Sequence, residues 1–184
     1  MAALYVADPT RAEQLADGVD LDVFEAAALG KHQRLVELLA SHPELAAART
    51  HDGFTALHLT AFFAGDPESA GLLLAHGAQP GAVADNPTRV TPLNSAAARG
   101  HVAIVRLLLD HGAEVDATQA GGYTALHSAA LHGAVELVEV LLHAGADPAC
   151  AAEDGRAPAA LAREGGQQRV LDRLATAIER SDRW

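Results

Sequence analysis

The chain has 184 residues, of which 49% are apolar, and its 24 acids against 13 bases leave a net charge of −11. That size suits one domain, the composition belongs to a folded chain, and one lysine (Lys31) with scattered arginines offers no basic patch for nucleic acid. No apolar run approaches the ~20 residues that span a bilayer, and the lone Cys150 excludes an internal disulfide and a cysteine-based zinc site.

Met1 to Val6 has no basic leader, and its short apolar stretch ends at Asp8-Pro9, so no signal peptide is expected and a cytoplasmic location fits best. Asp8-Pro9-Thr10-Arg11 reads as a cap, an N1 proline and a first turn. Residues 1–19 are therefore expected to form an N-terminal extension with one short capping helix. From residue 20 onward the chain repeats itself. Thr55-Ala-Leu-His, Thr91-Pro-Leu-Asn and Thr124-Ala-Leu-His recur at steps of 36 and 33 residues. Each phrase is followed by small residues, an apolar block and Gly-Ala: Leu72-Leu73-Leu74 before Gly77-Ala78, Leu107-Leu108-Leu109 before Gly112-Ala113, Leu141-Leu142 before Gly145-Ala146. Self-similarity at this period signals a stack of supersecondary units, with function on a repeated surface.

Five units follow, over residues 20–49, 50–85, 86–118, 119–152 and 153–184. Each holds two short helical patterns. In the fourth, Thr124 sits at an N-cap, Ala125 to His132 form the first helix, and Val135, Val138, Leu141 and Leu142 mark the buried stripe of the second. Gly145 is the stop. The first unit puts Val23 and Ala26-Ala27 in place of Leu126 and Ala129-Ala130, and His42-Pro43-Glu44 in place of Gly-Ala. The second carries three extra residues. One lies at Ala64-Gly65-Asp66-Pro67, where Asp66 can cap and Pro67 can begin a helix; two lie in the loop from Ala78 to Val90. The fifth keeps only Ala157-Pro-Ala-Ala and ends in charged residues, as a terminal cap must.

These phrases resemble the Thr-Pro-Leu-His-x-Ala signature of ankyrin-repeat proteins, over residues 20–184. The resemblance implies an all-α solenoid of helix-turn-helix units joined by β-hairpin-like loops, with a concave groove. It also implies that His58 and His127 brace the loops by hydrogen bonds.

The resemblance further places the groove on the residue before each phrase threonine and on the ends of the first helices. Those positions hold Phe54, Val90 and Tyr123 on the loops, and Phe62, Phe63, Ala98, Arg99, Leu131 and His132 on the helices. Four of the seven aromatics fall there, and aromatics with arginine are the usual anchors of interfaces. Partner binding is accordingly expected at Phe54, Phe62, Phe63, Val90, Arg99, Tyr123, Leu131 and His132. No His-Glu-x-x-His, phosphate loop, dinucleotide fingerprint or activated nucleophile occurs, so no catalytic residue, cofactor or metal site is expected. The function expected is non-catalytic binding of another protein or a peptide by a monomer, without nucleic acid or membrane. The alternatives are a regulatory subunit or inhibitor that covers a partner's active site, and an enzyme.

Overall fold

A computed structural model describes residues 20–181. Helices fill it in pairs. The inner series is α1 (Val23–Ala28), α3 (Ala56–Leu59), α5 (Pro92–Arg99), α7 (Ala125–Leu131) and α9 (Pro158–Glu164). The outer series is α2 (His32–Ser41), α4 (Pro67–Ala75), α6 (Val102–Asp110), α8 (Val135–His143) and α10 (Gln168–Ser181). Inner helices pack on inner and outer on outer, each against its neighbours in sequence order. The result is a two-layered solenoid. The capping helix expected within residues 1–19 lies outside the described residues.

Inner helices α1, α3 and α5 start where a side chain accepts orphan backbone N–H groups. Asp22 caps α1 through Phe24 and Glu25, both at 2.8 Å. Thr55 and Thr91 accept from the N–H of His58 and Asn94, three residues on. Asp66 accepts from Glu68 and Ser69 with Pro67 at the first helical position. The layers can approach closely because alanines line the contact: Ala26, Ala27, Ala61, Ala96, Ala129, Ala130 and Ala162 have no exposed surface. Leucines fill the space between layers. Leu57, Leu93 and Leu126 from the phrase, and Leu73, Leu108, Leu141 and Leu174 from the outer helices, are all fully buried.

The extra residue of the second unit is housed inside a helix. Beyond Leu59, residues Thr60–Ala64 form a π turn, closed by the Gly65 N–H donating to the Thr60 carbonyl at 2.9 Å. A π turn is what one added residue makes of an α-helix when the flanking registers are held fixed. Gly65 ends it with a left-handed φ of 65°, and a Cβ there would lie 2.5 Å from the His101 ring. The two residues added to the following loop remain in the loop.

The loops are less β-like than expected. Among the described residues the only bridge pairs Arg49 with Thr55. Each loop is instead pinched by one backbone bond: Thr50 N–H to Phe54 O (2.8 Å), Ala84 to Val90, Gln119 to Tyr123 and Ala152 to Arg156 (2.9 Å each). Neighbouring loops are tied together by Arg49 Nη1 to Val83 O (2.8 Å), Asn86 Nδ2 to Asp52 O (2.9 Å) and Ala120 N–H to Thr88 O (2.8 Å).

Candidate functional site

The phrase histidines set the angle between loops and inner helices. His127 Nδ1 accepts from the Thr124 N–H at 3.1 Å and faces the Thr124 hydroxyl at 2.9 Å. A nitrogen that accepts carries no proton, so the proton sits on Nε2, which donates to the Arg156 carbonyl at 3.0 Å. His58 repeats this with Thr55 (3.1 Å) and the Val90 carbonyl (3.1 Å). Burial drives the His58 pKa down to about 4 and lowers that of His127 as well. Both rings are therefore neutral structural braces. In the third unit an amide does the same work. Asn94 Oδ1 accepts from the Thr91 hydroxyl (2.7 Å) while its Nδ2 donates to the Ala117 carbonyl (3.2 Å).

Against these braces the loops and inner helices of the second and third units form a corner. In it lies an open cavity of about 330 Å³, lined by Phe54, His58, Leu59, Phe62, Phe63, Thr88, Val90, Asn94, Ser95, Ala98 and Gln119. Phe62 and Phe63 keep 37% and 38% of their surface exposed and meet edge to face, centroids 4.9 Å apart. Arg99 lies over the Phe62 ring at 5.3 Å, in cation–π contact. Phe54 is half-buried because its edge packs on His58, with centroids 5.7 Å apart.

Of the eight residues expected to bind a partner, Phe54, Phe62, Phe63 and Val90 line this cavity and Arg99 borders it through Phe62. Tyr123, Leu131 and His132 do not line it. Tyr123 is committed elsewhere: its hydroxyl donates to Asp154 Oδ2 at 2.6 Å, and it also contacts the Arg156 guanidinium, which lies over its ring at 5.5 Å. The Tyr123 hydroxyl bond and Arg156 hold the Asp154 carboxyl at about 2. Leu131 is 40% exposed one unit further along. His132 Nδ1 meets the Ser128 carbonyl at 2.8 Å. Residue reading missed Leu59, Thr88, Asn94, Ser95 and Gln119, which converge from four elements. It also missed Arg89, which lies between lining residues Thr88 and Val90.

Arg89 does leave a trace in the sequence. Two positions before the phrase the other units carry Gly53, Gly122 and Gly155, all with φ near 80°, whereas Arg89 takes φ 49°. A side chain held in the left-handed region is strained by about 1–2 kcal/mol.

Comparison with known proteins follows the same architecture. The family model described as ankyrin repeats, three copies, matches residues 59–152, just over half the chain. The chain belongs to the ankyrin-repeat family. Ankyrin repeats generally act as scaffolds for protein interaction, and such repeats are typically non-catalytic. No curated protein matches the chain. Among the described residues of this ankyrin array, no group of three or more His, Cys, Asp or Glu side chains is placed to hold a metal ion. No helix there is long and apolar enough to cross a membrane.

Proposed function

We propose that this ankyrin array is a non-catalytic scaffold that binds a protein or peptide in the groove of units two to four, centred on the corner between loops and inner helices of units two and three. The observation that carries this reading is the exposed Phe62–Phe63 pair standing over a preformed, mostly apolar cavity. Leaving two phenylalanine rings a third exposed stabilises nothing in the free chain, whereas desolvating such rings at an interface centre contributes about 2 kcal/mol or more each. The ties between loops and the histidine braces hold the corner rigid, so little ordering entropy opposes binding. The five-unit division, a monomeric state and a cytoplasmic setting are parts of the same proposal.

The test pairs capture with mapping. Phe62→Ser/Phe63→Ser should fold with a melting temperature near that of the parent and lose the bound protein. Hydrogen exchange on the captured complex should slow in residues 54–63 and 88–99. A complex that survives the double change, or that protects the outer helices instead, would remove the site from this face.

A further inference from the structure

We infer that the segment bound in the corner is an acidic peptide with one large apolar side chain, which enters the cavity while a neighbouring carboxylate meets Arg99 and Arg89. The inference rests on the binding proposal above and adds the chemistry of the partner.

The net charge of −11 alone would suggest a basic partner. Charges act over only about 8 Å at physiological salt, however, so the local field decides. Four other arginines are spent on carboxylates: Arg34 on Glu37 (3.5 Å), Arg106 on Glu136 (3.8 Å), Arg156 on Asp154 (2.7 Å) and Arg173 on Glu139 (3.0 Å). Arg49 is spent on the Gly53 and Val83 carbonyls, and Arg163, Arg169 and Arg180 lie in the last unit, away from the cavity. Arg89 and Arg99 make no such pair among the described residues, and both are exposed. No carboxylate lines the cavity, which Arg99 borders through Phe62 and which Arg89 adjoins in the chain between the lining residues Thr88 and Val90. Arg99 also holds the one permanent charge at the first-helix ends of units two to four, where its counterparts are Phe63 and His132. Arg89 keeps its charge at a backbone position where three other units use glycine. Two unneutralised cations beside an apolar cavity, in a chain with acids to spare, match an anion that comes from outside. Arg89 and Arg99 present fork-shaped donors suited to a carboxylate.

A random dodecapeptide library displayed on phage, selected on the immobilised full chain, tests this. Clones enriched on the parent and lost on Phe62→Ser should carry a large apolar residue with Asp or Glu within about three positions. Synthetic copies of those peptides should bind Arg99→Glu at least tenfold more weakly, and Arg89→Gly more weakly too, with Arg99→Glu still folded by circular dichroism and the melting temperature of Arg89→Gly at or above the parent's. Phe62-dependent clones that are basic or uncharged, and that bind Arg99→Glu as well as the parent, would overturn the acidic assignment and leave the binding site standing. A selection with no Phe62-dependent clones would overturn both. A chain that dimerises through this face, with Phe62→Ser restoring the monomer, would give the corner to a second copy and also overturn the inference.

Discussion

The sharpest consequence of the buried histidine braces is that the array should weaken in mild acid, and that one substitution should remove part of the weakness. His58 is 1% exposed and titrates in the folded chain near 4, against 6.5 when unfolded. Above pH 6.5 neither state binds a proton there, and the brace contributes in full. Between 6.5 and 4 the unfolded chain takes a proton that the folded chain refuses, so stability falls by about 1.4 kcal/mol per pH unit. At pH 5 the loss from His58 is 1.5 units' worth, about 2 kcal/mol, and His127 adds to it in the same direction. Asp154, held at about 2, loses its contribution only in much stronger acid. His58→Asn is the probe, because Asn94 already performs this role at the matching place in the next unit. Urea unfolding followed by circular dichroism at pH 7.5 and pH 5 gives the readout. The parent should lose about 2 kcal/mol more than His58→Asn between the two conditions. Equal losses in both chains would mean that His58 does not stay neutral in the folded state, and the tautomer argument would fail with it.

Leu126→Ala and Leu141→Ala, each removing a fully buried side chain, should cost roughly 2–5 kcal/mol in urea unfolding; unmoved midpoints would mean the packing between layers is wrongly described. Thr124→Ala should cost about 1 kcal/mol in the same assay, as loss of a cap does. Arg89→Gly should raise stability by roughly 0.5–1 kcal/mol, because it relieves a left-handed φ of 49°; a calorimetric midpoint that drops would show the arginine side chain to be structurally engaged. A chelator should leave the thermal midpoint unchanged, since no metal-holding cluster exists among the described residues.

Fold and site differ in how plainly they were written in the chain. The stack was legible because its signals are local and repeated. A threonine cap three residues before a histidine or asparagine, and a buried leucine between them, can be seen in any eleven-residue window, and three copies remove ambiguity. Phe62 and Phe63 stood out because the resemblance to ankyrin repeats assigns the groove to the ends of the first helices, where these two rings fall. Tyr123 could not be separated from them by the same logic. Its commitment to Asp154 spans 31 positions, and only the folded loops bring the two together. The strain at Arg89 was recoverable by lining up Gly53, Gly122 and Gly155, but an arginine in a loop looks ordinary until its φ is known. The added residue near Ala64 was visible as a count. Whether loop or helix would absorb it depends on the fixed ends that α3 and α4 must meet, and those are set by neighbours.

The π turn at Thr60–Ala64 carries a warning for anyone who would tidy this chain. By every local criterion of regularity, deleting Ala64 improves the sequence: the helix pair of the second unit would then match the spacing of those in the third and fourth, and an ordinary helix could replace the wide turn. A consensus-driven redesign would make that deletion first. The widened turn, however, includes Phe62 and Phe63, and tightening it would change how both rings overhang the space beside Val90. On the binding site proposed above, this irregular turn is the one that shapes the surface offered to a partner, so a redesign guided by regularity alone would alter that proposed surface first.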